Sequence, residues 1–497
     1  MMGSMIKRAA CFVTYAGCVA AAIAEMPAFT PVQPELFTAP HALSNAFADF
    51  EGDGDLDLAV SFQDGAIRLY RNDASAYVEA GAALGLPTAG PEVRGLSWGD
   101  FDGDGDPDLY AGLSGDAELP ARNAMFRNDH GGAFVDVTEA TGLKLAGADS
   151  RQANWVDYDN DGDLDLFSGQ RSGTNRMYRN DGGGFSDVSE ELGLADPRRT
   201  VGACWFDMDE DGDLDVFLAN QQADKDAFYR NDGNAFTDIA PQLGMHQPDR
   251  TLAEGGVGCT VGDYDNDGRL DLFVATYGPT LLYRNLGGGK FLEVATEAGV
   301  RQTLHAVGTS WGDFDNDGDL DLFVAAYVDG TESYSRAHLF RNEGGKFVGV
   351  LGNDSLLLAA DHGIQWADFD RDGDLDLSLT DTFPEDSRHR LLRNDLPASL
   401  ARSSLQVRVL DREGRATRNG AEVRLYAADG ELLGTRIVAT GDGYGSQGVA
   451  PLHFGLAAAG RVDVEVTFLT PKGRVAKRLK GINAREWAGQ AVVVKED

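Results

Sequence analysis

A ten-residue pattern of alternating acids occurs seven times in this chain, so the chain has to be read as an array of repeated units before anything else. The copies are DFEGDGDLDL from Asp49, DFDGDGDPDL from Asp100, DYDNDGDLDL from Asp157, DMDEDGDLDV from Asp207, DYDNDGRLDL from Asp263, DFDNDGDLDL from Asp313 and DFDRDGDLDL from Asp368. Their spacings of 51, 57, 50, 56, 50 and 55 residues alternate short and long, as duplication of a two-unit block or simple loop insertion would produce.

Each copy carries the same surroundings. A tryptophan stands two residues ahead of five loops, at Trp98, Trp155, Trp205, Trp311 and Trp366. After each loop come a short apolar run and then an Arg-Asn signature, with the arginine at 71, 127, 179, 230, 284, 341 and 393. Most copies add a third segment, as in FVDVTEATGL from Phe134, FSDVSEELGL from Phe185 and FTDIAPQLGM from Phe236. Short β-rich runs separated by Gly, Asn and Asp turns give about four strands per unit. The fold class predicted is all-β: a seven-bladed β-propeller over residues 25–400, followed by a small β-sandwich-like domain over 401–497. The seventh unit stops after Asp395 without its third segment, and Leu36-Phe37-Thr38 is a loose match to that segment. The N-terminal strand is therefore expected to complete the last blade and remove the free edge. The tryptophans, on the strand feeding the loop, are expected to pack blade against blade.

The loop chemistry is that of a hard cation. Calcium takes six to eight oxygens at about 2.3–2.6 Å from carboxylates and carbonyls on a tightly curled backbone. Positions 1, 3 and 5 are carboxylates in every copy, position 6 is always Gly and position 9 always Asp. The candidate ligands are Asp49, Glu51, Asp53, Asp55 and Asp57 in the first loop, then Asp100, Asp102, Asp104, Asp106 and Asp108 in the second. The third and fourth supply Asp157, Asp159, Asp161, Asp163, Asp165 and Asp207, Asp209, Asp211, Asp213, Asp215. The fifth supplies Asp263, Asp265, Asp267, Arg269 and Asp271, the sixth Asp313, Asp315, Asp317, Asp319 and Asp321, and the seventh Asp368, Asp370, Asp372, Asp374 and Asp376. Arg269 at position 7 of the fifth loop implies that this position donates its backbone carbonyl and turns its side chain away. An EF-hand is excluded, because position 12 is Val60, Ala111, Ser168, Leu218, Val274, Val324 or Leu379 and never the bidentate Glu. A merely solvated acidic face would not keep this spacing. Up to seven calcium ions are expected, as scaffold rather than as the site of function.

The net charge of −37 argues against bulk affinity for nucleic acid or anionic membrane. It is unevenly placed: residues 401–497 hold 15 Lys and Arg against 11 Asp and Glu, so residues 1–400 carry a net −41. Lys7 and Arg8, an apolar stretch from Ala9 to Ala24, and Ala22 and Ala24 in an A-x-A arrangement read as a signal peptide over residues 1–24. Ala16-Gly17-Cys18 offers the alternative of a lipoprotein anchor, with Tyr15 where a small aliphatic is usual. No later run reaches the roughly 18 apolar residues of a spanning helix. The expected location is secreted, periplasmic or cell-surface. Cys204 and Cys259 precede successive loops by three and four residues, giving opposite side-chain parity along a strand, which favours two buried free thiols over a disulfide.

The D-x-D-x-D-G-x-x-D loops resemble FG-GAP/VCBS repeats, the calcium-binding blades of integrin α-subunit propellers. The Arg-Asn-Asp and F-x-D-V segments resemble more specifically the bacterial relatives of cartilage acidic protein. Asn419-Gly420-Ala421, GDGYGSQ from Gly441 to Gln447 and LHFGL from Leu452 to Leu456 are similar to the ASPIC/UnbV domain that ends many of those proteins. The tail itself shows alternating runs, VRVL, AEVRLYA, RVDVEVTF and AVVVKE, with Gly-rich turns. Its basic Lys472–Lys480 stretch reads first as a solvated strand edge, with contact to the acidic propeller or to a partner as the alternative.

The resemblance implies extracellular recognition or adhesion, with a protein or glycan partner. Strand alternation puts the metal loops and Arg-Asn turns on one face and the remaining connections on the other. That other face carries insertions from Ser114, Tyr327 and Asp381, together with Arg94, Arg151, Arg198, Arg199, Arg250, Arg301, His305 and His362. Variable loops over a rigid scaffold are where ligands are gripped, and this set suggests an anionic ligand. No H-E-x-x-H, Walker loop, nucleophile elbow or Cys/His cluster occurs, so no catalytic residue is assigned. The alternative is a calcium-dependent lyase or hydrolase of polysaccharides that uses the face opposite the loops.

Overall fold

The structure is a computed structural model that describes residues 28–497 apart from 75, 116–120, 144–148, 234, 328–335, 384–386, 442 and 458–459. The expected signal over residues 1–24 and the alternative anchor at Cys18 lie outside the described residues, as do parts of the connections that begin at Ser114, Tyr327 and Asp381. No helix among the described residues is long and apolar enough to cross a membrane.

Every acidic loop joins the first two strands of an antiparallel meander. In the third unit these strands are Ser150–Val156, Asp165–Gln170, Arg176–Asn180 and Phe185–Asp187, paired in that order. The fourth unit repeats this with Thr200–Phe206, Asp215–Asn220, Ala227–Asn231 and Phe236–Asp238. The first two strands are buried along their whole length because another sheet lies on either side, and this burial takes in polar residues such as Gln152, Asn154 and Gln170 as well as apolar ones. First strands of successive sheets run side by side, and Ala42–Ala48 of the first unit also packs on Ile364–Ala367 of the last. The arrangement is consistent with a β-propeller.

The last sheet is completed from the N-terminus, but not by Leu36-Phe37-Thr38. Phe29–Pro31 pairs with His389–Asn394, setting Phe29 opposite Asn394 just as Phe236 stands opposite Asn231. Phe-Thr-Pro thus occupies the register of Phe-Thr-Asp, and its lack of the usual acid hides it. Phe37 instead sinks into the core, 4.6 Å from the Tyr70 ring. A second difference concerns the third segment of each unit. Only its first residues are strand, and the rest forms a single helical turn, as in Ser189–Leu192 and Ala295–Ala298. Gly193 and Gly299 end those turns in the left-handed region, which supplies the missing residue preference for the G-L ending.

The tryptophans do pack sheet on sheet. Trp98 and Trp155 are fully buried and donate from Nε1 to Ala46 O and Ser97 O of the preceding sheet. The residue before the loop faces the following sheet instead. At Gly99, Gly262 and Gly312 a Cβ would fall within 2.6–2.8 Å of the indoles of Trp155, Trp311 and Trp366, so glycine makes the seat for the next tryptophan. This same alternation corrects the cysteine reading: Cys204 and Cys259 form a disulfide, with Cα atoms 6.1 Å apart. Opposite parity separates two side chains within one sheet, but it brings them together across two sheets stacked face to face.

The asparagine of each Arg-Asn pair joins neighbouring sheets. Asn180 Nδ2 donates to Leu164 O of its own loop and to Phe101 O of the preceding one, at 3.1 and 2.7 Å. Asn128, Asn285, Asn342 and Asn394 repeat both bonds, and Asn72 donates to Phe369 O, joining the first unit to the last.

The C-terminal residues form two further sheets over one apolar core. One holds Leu452–Gly455, Ser404–Leu410 and Ala491–Lys495, the other Leu432–Ile437, Glu422–Ala427, Arg461–Thr470 and Gly473–Asn483.

Because Asn180 is buried and holds two carbonyls, Asn180→Ala should cost about 2–4 kcal/mol by leaving both unpaired. Urea titration measures this, and an unchanged midpoint would show that the asparagine does not hold the sheets together.

Candidate functional site

The acidic loop curls because two of its residues leave the ordinary backbone regions. Position 4 is left-handed, with φ of 60° at Asn160, 65° at Glu210 and 57° at Asn316, and position 6 lies near 100°, at 104° for Gly162 and 102° for Gly318. A side chain at position 6 would be strained, which accounts for the invariant glycine. Its N–H donates to Oδ2 of position 1, at 3.0 Å in both the third and sixth loops. The curl brings positions 1, 3 and 9 together. In Asp100/Asp102/Asp108, Asp157/Asp159/Asp165, Asp207/Asp209/Asp215 and Asp263/Asp265/Asp271, one oxygen from each lies within 4.8 Å of the others.

Position 9 does two tasks. Its Oδ2 accepts the position 2 N–H and its Oδ1 the N–H of the Arg-Asn asparagine, as Asp215 does from Met208 and Asn231 at 2.9 and 2.8 Å. Position 5 caps the position 7 N–H, as Asp161 does for Asp163. Position 7 side chains mostly leave the loop centre: Asp213 accepts from Asn160, Asp319 from Asn266, and Asp55 pairs with Arg371, each the position 4 residue of the preceding loop. Arg269 leans on Asp267 and donates to Asn285 O. Asp374 is the exception, buried with both oxygens unpartnered.

The loop centres are short of positive charge. Oδ1 of Asp49 and Asp157 at position 1, and of Asp209, Asp265 and Asp315 at position 3, is buried without a hydrogen bond. Burial pushes Asp57 up to about 8 and Asp108 to about 9, and raises Asp165, Asp215, Asp271, Asp321 and Asp376 well above the carboxylate range. Unpaired buried oxygens converging in an all-oxygen cluster fit a divalent cation.

The C-terminal sheets lie on this same face and meet the loops one at a time. Arg474 reaches Asp207 at 2.6 Å, Arg418 reaches Asp157 at 3.5 Å, Gln406 donates to Asp368 at 2.6 Å and the Gly455 N–H to Asp313 at 3.0 Å. Arg408 faces Asp49, Arg415 faces Asp100 and Thr435 stands beside Asp263. Arg474 belongs to the Lys472–Lys480 stretch, so that stretch does touch the acidic face.

Between Ile437 and Leu452 the chain leaves the C-terminal sheets and enters the space between the first strands. Thr440 Oγ1 donates to Trp205 O near the loop end, Gly443 pairs with Thr309 halfway along, and Ser446–Gln447 runs back parallel to Leu96–Ser97. Glycine is required here, since a Cβ at Gly443 or Gly445 would lie 2.5 and 2.8 Å from Ile364 O and Arg94 O. Tyr444 sits at the tip, among Val201, Val257 and Val307. Sequence reasoning gave GDGYGSQ no role beyond a likeness; most of its partners are distant in sequence.

The arginines and histidines expected on the opposite face separate into two groups. Arg198, Arg199, Arg250 and Arg301 are paired with Asp196, Asp224, Asp226 and Glu293. Arg94, Arg151 and His362 converge at the channel mouth, where a cavity of about 190 Å3 is also lined by Arg171, Tyr277 and Tyr444. His305 stacks on Tyr327 beside it, at 5.3 Å. Arg171 was not singled out from sequence; it follows a second strand with no motif to mark it.

An FG-GAP-like repeat model matches residues 49–111, 157–218, 207–274, 263–324 and 313–378, which take in all seven loops, and an ASPIC and UnbV model matches residues 413–486. No curated protein matches. Among solved structures, a lectin of Agrocybe aegerita described for recognition of non-reducing terminal N-acetylglucosamine is similar at 16% identity and a TM-score of 0.38, over 63% of this chain and 81% of that one. BBS1N in complex with ARL6DN is similar at 11% identity and a TM-score of 0.42, over 76% and 96%.

Stripping divalent cations at neutral pH should lower the melting temperature by about 10 °C or more, with recovery when they are restored. An identical melt in EDTA would remove the metal assignment.

Proposed function

Because the chain belongs to the FG-GAP-like repeat family and carries an ASPIC and UnbV domain, we propose that it is an extracellular recognition or adhesion module built on a calcium-loaded seven-bladed propeller. In this reading residues 25–400 form the propeller, closed by Phe29–Pro31, and residues 401–497 the second domain. Calcium is the cation because the loops offer only carboxylate and carbonyl oxygens on a curled backbone. The bound ions neutralise carboxylates that burial otherwise disfavours, so they hold the scaffold.

The observation that carries the reading is the asymmetry of the two faces. The loop face is engaged by the C-terminal domain at the first aspartate of every loop. The opposite face keeps its long connections and a basic, aromatic mouth for a partner, with protein or glycan as its chemistry.

A second reading, a polysaccharide-acting lyase or hydrolase, is favoured by one feature of the mouth. His362 Nδ1 lies 2.7 Å from Asp361, and its ring is 4.8 Å from that of Tyr444, an arrangement suited to proton transfer.

A glycan array and a panel of immobilised extracellular matrix proteins, both probed in calcium buffer, test the proposal. Retention of intact ligand is expected, with loss after EDTA. Shortened glycans would favour the enzyme, and no retention on either surface would count against a recognition module.

A further inference from the structure

The channel mouth combines two features that are seldom adjacent without a ligand to use them. Three guanidinium groups, Arg94, Arg151 and Arg171, line one cavity, and no carboxylate is among its lining residues. Glu92 and Asp149 hold two of them from behind, at 2.7 Å from Arg94 Nε and 2.5 Å from Arg151 Nη1. Arg171 has no acidic partner among the described residues. The positive charge is therefore in excess and close-packed. Desolvation, with repulsion from Arg94 and Arg171, holds the Arg151 guanidinium below its ordinary value against the pull of Tyr444 and Asp149.

The other wall is aromatic. Tyr277 and Tyr327 lie 5.7 Å apart edge to face, Tyr327 and Phe383 5.0 Å apart, and His362 is 5.2 Å from Phe383. The Tyr444 hydroxyl accepts from Arg94 Nη1 at 3.4 Å, so the domain that covers the loop face also furnishes the floor of this cavity. The buried Gln221 amide adds a two-way hydrogen-bonding group to the lining.

Guanidinium groups bind carboxylates in a bidentate fork, whereas aromatic rings take the C–H face of a ring-shaped ligand. Tyrosine hydroxyls and an amide serve hydroxyl groups. We propose that the mouth is a binding site for one carboxylate-bearing sugar residue, a uronic acid, held by its carboxylate on Arg94, Arg151 and Arg171 and by its ring on the tyrosine wall. The cavity of about 190 Å3 is of the order of a single sugar ring. The proposal deepens the recognition reading and rests on it, naming the ligand class and the place of contact.

Titration calorimetry of the full calcium-loaded protein with glucuronic and galacturonic acid, using glucose and galactose as neutral controls, tests it. Binding of a uronic acid and not of the neutral sugars is expected. Arg171→Gln should weaken it about tenfold or more, as loss of a charge-assisted contact does, and Tyr444→Phe should weaken it less. Melting curves of both variants report whether the fold is kept, and Arg199→Gln, on the same face but outside the cavity, should bind like the parent. Equal affinity for neutral sugars, no binding of either uronic acid, or full affinity in a folded Arg171→Gln would overturn the proposal. If Arg171→Gln still retains ligands on the array, the recognition reading survives and the channel site fails. If the array retains nothing, both fail.

Discussion

The carboxylate at the ninth position of each acidic loop is the group on which most of the structure depends. One of its oxygens ends the loop by taking the position 2 N–H, and the other takes the N–H of an asparagine at the end of the third strand. That asparagine then spends its side chain on the next sheet. The same carboxylate faces positions 1 and 3, so the group that would bind a cation also sets the geometry of the junction between sheets. Charge in the loop and alignment of neighbouring sheets cannot be changed separately.

The parts of the fold written into repeats were legible, because seven copies of one pattern average out local accident. Position 6 glycine, position 7 turned outward and tryptophan between sheets all follow from comparing the copies, and the structure bears them out apart from Asp374 at position 7 of the last loop. What remained hidden depends on partners far away in sequence. Parity along a strand misled for Cys204 and Cys259, since which faces meet is a property of stacking rather than of either strand. Phe29 was missed in favour of Phe37 because pairing with Asn394 demands a position in the register and tolerates proline where other units have aspartate. At the mouth, Arg94, Arg151 and His362 were visible as members of one face. Nothing local showed that they converge while Arg198 and Arg250 are neutralised.

The C-terminal domain connects the two faces physically. Its arginines, amide and backbone donors answer the first aspartate of each loop, and its glycine-rich hairpin carries Tyr444 through the channel to the far side. A domain that merely followed the repeats in sequence would need neither feature. Part of its positive charge is set against the acid of the preceding residues, through Arg418 on Asp157 and Arg474 on Asp207.

The pairing of Phe29–Pro31 with His389–Asn394 also bears on how the molecule comes into being. The bond from Thr30 to Asp395 spans 365 residues, so the outer edge of the last sheet has no partner until nearly the whole repeat array has been made and brought around. Until then two β edges stay available to any other extended chain, and the ordering entropy of a very long loop opposes their meeting. The hairpin bearing Tyr444 lies later still in the sequence, and its seat among Val201, Val257 and Val307 exists only after three separate units have come together. Assembly is thus intrinsically slow and order-dependent, with the final segment acting as a plug that can be driven home only once the surrounding wall is standing.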